Sequence, residues 1–323
     1  MQGIGAHEQL GHEVLLLVVQ VARHDHAFRQ ALTRYLIWLD ETCGWLTLRG
    51  IKQRDQQVLT LPLDEVYTSL TVEAGGSHTV DVGQLLLQGS RLVGTGAPGS
   101  GKSTVLQYVT WTLARALLTG DAQLAADRLD FTIPEDEEGK PQPSQLELPL
   151  PIFIPLHAYA EHLRRFGDGG EARKATLAGS ISDYLIRRQA GLGLPDDFFE
   201  QLLLRGQSCL LLLDGLDEVP DEKTRVRVSR AVEDLVNAAP RNRVVVTSRT
   251  AAYRGEAVLG ARMRQLHMQP MTEKQVARLV TRLYQAAIHG EQERIRETAS
   301  LLAAVAARPR GKPMPQRTML VQP

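Results

Sequence analysis

Apolar side chains recur every three to four residues through Phe28, Leu32, Tyr35, Leu36 and Leu39, the spacing that lines one face of a helix and requires a surface to cover it. Upstream, the apolar run from Val14 to Val21 is broken by Gln20 and falls far short of the roughly 20 residues of a membrane span. It is read as a core helix, and residues 1–80 as a mainly helical N-terminal region. Gly75, Gly76 and Ser77 end that pattern. Residues 90–95 then read as a strand running into a glycine-rich turn, and helical periodicity returns over 102–118. Residues 122–150 are polar and proline-rich, acidic from Glu135 to Glu138, and predict a solvated loop insertion.

Four more strands are predicted at 151–156, 208–213, 243–247 and 263–268, separated by helical stretches at 175–189, 196–204 and 222–239. Every residue from Cys209 to Leu213 is apolar, as in a strand covered on both faces of a parallel sheet. Strand alternating with helix predicts an α/β fold, a mostly parallel sheet between two helical layers with right-handed crossovers. The chain turns helical again over 271–307, where Thr272 suits an N-cap and Gln275 its capping-box partner. Residues 308–323 are proline-rich and read as a frayed tail.

Composition narrows the function classes. With 323 residues, 43% hydrophobic and 23% charged, the chain has the makeup of a globular protein and can bury a large core. Lys plus Arg equals Asp plus Glu at 37 each, so no overall field draws in nucleic acid or anionic lipid. Two cysteines, Cys43 and Cys209, build neither a disulfide framework nor a CxxC site, and suit a reduced, cytoplasmic protein. No basic stretch followed by a cleavage pattern marks a secretory signal.

Three segments carry chemistry. Gly96, Ala97, Pro98, Gly99, Ser100, Gly101, Lys102, Ser103 and Thr104 fit GxxxxGK[ST] between a predicted strand and a predicted helix. Glycines let backbone N–H groups turn inward around a phosphate, and the following helix aims its positive end at the same place. Lys102 would reach the β- and γ-phosphates, and Ser103 Oγ would be a ligand of Mg²⁺. The second segment, Leu210 to Glu218, is a buried strand delivering carboxylates at its C-terminal end, where open α/β sheets bind ligands. Asp214 is placed to hold Mg²⁺, and Asp217 or Glu218 to orient or deprotonate a water attacking the γ-phosphate. The third, Val244 to Arg249, ends another strand with a guanidinium within reach of a phosphate oxygen.

In this order and at these separations the three segments resemble the NACHT family of signal-transduction ATPases, members of the STAND class. Asp214-Gly215-Leu216-Asp217-Glu218 is the most discriminating part, with a small residue directly after the metal-binding aspartate and a further acidic pair. Pro151 to Leu156 is similar to that family's second strand, and Thr247-Ser248-Arg249 to its sensor segment. The resemblance covers about residues 85–305 and implies a P-loop NTPase domain over 81–270 with a five-stranded sheet ordered 5-1-4-3-2. It implies that Lys102, Ser103 and Asp214 bind Mg·ATP or Mg·GTP, that Asp217 or Glu218 supports hydrolysis, and that Arg249 senses the γ-phosphate. The winged-helix domain and repeat sensor that continue such proteins are expected to be absent, and Gly311-Lys312-Pro313 to be a chance likeness to a GxP element.

The leading expectation is therefore a slow, Mg-dependent nucleotide switch that works through protein effectors or self-association. The alternatives are a truncated nucleotide-binding or interaction module without useful hydrolysis, and another P-loop ATPase such as an AAA+-like motor. His7, His12, His24 and His26 are too loosely spaced for a metal site, and His157 reads as structural. Trp38, Trp45 and Trp111 are scattered and make no base-stacking platform.

Overall fold

The computed structural model describes residues 26–48, 59–73, 79–136, 138–142, 146–166, 177–188, 190–205, 208–255, 258–260 and 262–287. The expected helix at 14–21, the break at 75–77, His7, His12 and His24, the helical stretch beyond 287, the GxP-like triplet and the tail lie outside these residues.

The described chain opens with α1 (His26–Cys43), the hairpin β1 (Trp45–Leu48) and β2 (Leu59–Pro62), the single turn α2 (Leu63–Val66), and the short strands β3 (Thr71–Glu73) and β4 (Thr79–Asp81). A 3-10 stretch, Val82–Gln88, leads to β5 (Arg91–Gly96), α3 (Lys102–Thr119) and α4 (Ala122–Leu129). Then come β6 (Leu150–Pro155), α5 (Leu156–Phe166), α6 (Leu177–Arg188), α7 (Phe198–Arg205) and β7 (Cys209–Asp214). The last described elements are α8 (Glu222–Ala238), β8 (Arg243–Arg249), β9 (Arg264–Met268) and α9 (Glu273–Ala287).

The main sheet has seven strands in the order β4-β3-β9-β5-β8-β7-β6, which corrects the expected five. Its parallel part runs from β9 to β6, and the order departs from the expected one by the antiparallel pair β3 and β4 added beyond β9. Each added strand is three residues long, too short for a period of two to show in sequence. The N-terminal stretch read as mainly helical thus holds one long helix and four short strands among its described residues, and its β3 already belongs to the main sheet. The expected loop insertion at 122–150 also begins differently, as the helix α4, with Asp121 accepting from Leu124 N–H at 3.2 Å and Ala122, Ala125 and Leu129 buried. Polar neighbours conceal that three-to-four spacing in a short segment. Beyond it the acidic stretch makes a turn, Asp136 Oδ1 accepting from Lys140 N–H at 2.8 Å.

Every residue of β7 is buried, and all of β8 except its two ends. Each such aliphatic side chain contributes about 1.5–3 kcal/mol of transfer free energy, so this pair anchors the sheet. The stripe on α1 finds its surface in α3 and in the rings of Phe198 and Phe199, which meet Tyr35 edge-on at 6.1 and 5.0 Å. Tyr35 also donates to Pro151 O at 3.1 Å, so a neighbour covers the edge strand β6, whose prolines already deny a partner strand some N–H donors. The capping box forms as its residues predict: Gln275 N–H donates to Thr272 Oγ1 at 3.3 Å and Thr272 N–H to Gln275 Oε1 at 2.8 Å. No described helix is long and apolar enough to cross a membrane.

Candidate functional site

Parallel strands bring their C-terminal ends to one edge of a sheet. Here Gly96 closes β5 opposite Arg249 of β8, and Asp214 closes β7 opposite Pro155 of β6. The glycine-rich turn leaves from this edge and winds directly into α3, Val105 N–H donating to Gly101 O at 2.9 Å. Gly101 caps the helix at φ 83°, a left-handed conformation that strains any residue with a Cβ, which would in addition have to displace Leu70 Cδ1 at 2.8 Å, so the turn favours glycine. The N–H groups of Lys102, Ser103 and Thr104 belong to the first turn of α3, where helix geometry leaves donors without partners in the helix. Lys102 Nζ lies over the loop, donating to Gly96 O at 3.1 Å, Ala97 O at 3.0 Å and Ser100 Oγ at 3.2 Å. Burial lowers its pKa from the ordinary lysine value, and the charges of Asp217 and Asp214 oppose that shift.

Asp214 is 7% exposed. Its Oδ1 accepts from Thr247 Oγ1 at 2.5 Å, Thr247 Oγ1 accepts from Gly215 N–H at 2.9 Å, and the Ser103 hydroxyl is a further partner of the carboxylate. Burial raises the pKa of Asp214, while the hydroxyls of Thr247 and Ser103 and the charge of Lys102 pull it down. Gly215, at φ 75°, then bends the chain into the 3-10 turn Leu216–Glu218 and sends the acidic pair into different surroundings. Asp217, its side chain 6% exposed, accepts from Arg249 N–H at 2.8 Å through Oδ1 and pairs with Arg249 Nε at 2.9 Å through Oδ2. Glu218, 45% exposed, has Oε2 at 3.3 Å from His157 Nδ1. Burial pushes its pKa up and the charge of Asp214 adds to the rise.

Pro98, Gly99, Ser100, Gly101, Lys102, Ser103 and Thr104 line one cavity of about 250 Å³ with Asp214, Asp217, Glu218 and Arg249. The tertiary structure brings these predicted residues together; Gly96 and Ala97 stand behind the lining, where their carbonyls hold Lys102. His157 and the hairpin residues Trp45 and Thr47 belong to the site without having been singled out for it, and Thr247, read only as part of the sensor segment, joins them. Thr247 and His157 each follow or close a predicted strand at this same edge, which was the available signal; strands as short as β1 and β2 leave none.

The donor set suits a magnesium ion shared with a phosphate. Ser103 and Asp214 offer two hard oxygens, and Mg²⁺ completes its shell with waters and phosphate oxygens instead of a protein cage. Among the described residues no group of three or more His, Cys, Asp or Glu side chains is arranged to hold a metal alone.

Residues 142–287 match the family model of the NACHT domain. That stretch of the chain is similar to a NACHT domain. The matched span includes Asp214, Asp217, Glu218 and Arg249, and the glycine-rich turn precedes it. A NACHT domain implies a P-loop NTPase of the STAND type, in keeping with the helix-flanked, mostly parallel sheet. No curated protein matches the chain.

Proposed function

We propose that this protein is a NACHT-type NTPase that binds a nucleoside triphosphate, ATP in the first instance, with Mg²⁺ and hydrolyses it slowly as a signal-transduction switch. The observation that carries the reading is the convergence of Lys102, Ser103, Asp214, Glu218 and Arg249 from three separate segments on one cavity of about 250 Å³. That volume lies just below the roughly 300–1,000 Å³ of pockets enclosing whole ligands, and suits the phosphate end of a nucleotide.

In this reading the amides of the Gly99–Thr104 loop and the Lys102 ammonium bind the β- and γ-phosphates. Ser103 and Asp214 would hold the magnesium, which when bound neutralises charge on the phosphates. Glu218 accepts a proton from water as its oxygen attacks the γ-phosphorus and the bond to the β-phosphate oxygen breaks. A carboxylate with raised pKa is the better base of the pair, and both oxygens of Asp217 already hold Arg249. Asp217 thereby keeps the Arg249 guanidinium at the cavity wall, where it meets γ-phosphate charge. The domain division expected from sequence, 81–270 as the nucleotide-binding unit with 271–307 as a small helical segment, is part of this proposal, with β3 and β4 added to the sheet.

Lys102→Ala should abolish binding of a labelled ATP analogue, since it removes the ammonium that faces the phosphates. Glu218→Gln should bind normally and lose about 10²-fold or more in phosphate release. Unchanged affinity in the lysine variant defeats the binding reading, and release equal to that of Asp214→Ala in the wild-type protein replaces the switch enzyme by a binding module.

A further inference from the structure

Glu218 reaches the cavity from a turn, and a half-exposed glutamate on a turn has several rotamers open to it. One side chain from the neighbouring strand's connection comes within ion-pair distance of it. β6 and β7 run parallel with Pro155 opposite Asp214, so both chains leave the sheet at the same level. His157 stands in the first turn of α5, two residues beyond Pro155, and Glu218 closes the 3-10 turn beyond Asp214. Their contact, Nδ1 to Oε2 at 3.3 Å, is thus a product of strand register.

We infer that His157 is a positioning residue for Glu218, its Nδ1 fixing one carboxylate oxygen so that the other faces the cavity; this rests on the hydrolytic reading above. Three observations support it. Gly215 lies beneath the Glu218 side chain, whose carboxyl carbon is 3.1 Å from where a Cβ would stand, so the carboxylate folds back toward Asp214. Among the described residues Oε2 has His157 as its partner and Oε1 has no protein partner, which leaves one oxygen for water. The imidazole is 54% exposed and 45% of Glu218 is exposed, so solvent reaches the pair, whereas Asp217 is enclosed and fully engaged by Arg249. A carboxylate held at one oxygen and open at the other is pre-organised for proton transfer, and a small displacement from such geometry costs rate while leaving affinity intact.

An exposed His–Glu contact with no such role would change neither turnover nor binding when removed. The test is steady-state phosphate release by the full chain with Mg·ATP, resolved into kcat and KM. His157→Ala should lower kcat roughly tenfold to a hundredfold with KM within about twofold. His157→Asn, whose amide nitrogen takes the place of Nδ1, should restore most of the loss, and His157→Ala should have no further effect on Glu218→Gln. An unchanged kcat, an Asn variant as slow as the Ala variant, an equal loss in the Glu218→Gln background, or lost ATP-analogue affinity in His157→Ala each overturns the inference. Failure of the hydrolytic reading looks different: the wild-type protein then releases no more phosphate than Asp214→Ala. The pairing is still read in that case from the ring ¹⁵N resonances of His157, which should move on Glu218→Gln; an unmoved resonance overturns it as well.

Discussion

Burial decides the chemistry of single side chains in this protein. Cys43 ends α1 and Cys209 opens β7, both buried, and burial pushes each thiol from 9.0 up to about 12. The folded pKa exceeds the unfolded one, so this contribution to stability is complete below pH 9 and is lost as the pH rises through 9 toward 12. The urea midpoint should therefore fall as pH rises above 9, and a thiol reagent at neutral pH should label neither cysteine of the native protein quickly and both after unfolding. Labelling at the unfolded rate in native buffer contradicts the burial. The cysteine count alone pointed to free thiols, and their inertness needed the packing. His157 shows the opposite case: its sequence neighbours suggest a structural histidine, and only the register that sets β6 beside β7 brings it to Glu218. Thr247 read as part of a sensor segment, whereas its hydroxyl bridges Gly215 N–H and Asp214.

Among the elements, those with many periodic residues were legible and those with few were not. The helix at 26–43 carries a stripe with seven buried residues. β7 and β8 announce themselves by unbroken apolar runs, because only a strand covered on both faces can use one. The hairpin of β1 and β2 is four residues on each side, and it follows directly on α1, whose packing on α3 sets it against the phosphate-loop cavity. That position has a measurable consequence. Trp45 is 50% exposed and lines the cavity, whereas Trp111 is buried and Trp38 packs against the core. Mg·ATP should change tryptophan emission in the wild-type protein, and Trp45→Phe should remove most of that change while binding a labelled analogue as before. An equal change in the Trp45→Phe protein would place the signal elsewhere.

At the scale of the whole molecule, the cavity is assembled from segments that share no local contacts in the chain, so its occupant stabilises the fold that assembles it. Ligand at 100 times its Kd adds about 2.7 kcal/mol, which for a protein of this size raises Tm by roughly 4 °C. The wild-type protein with Mg·ATP should show such a rise over the protein in chelator, and Lys102→Ala should show none; equal rises in both would sever the link between the loop and the ligand. The order of strand and helix, the buried strands, the glycine-rich turn and the acidic cluster are properties of neighbouring residues, and the sequence by itself determined them. The seven-strand sheet, the separation of Asp217 from Glu218, the partner of each and the hairpin beside the phosphate loop were decided by tertiary structure alone. Register between strands and the packing of short elements depend on contacts between residues far apart in the chain, and no local period encodes those.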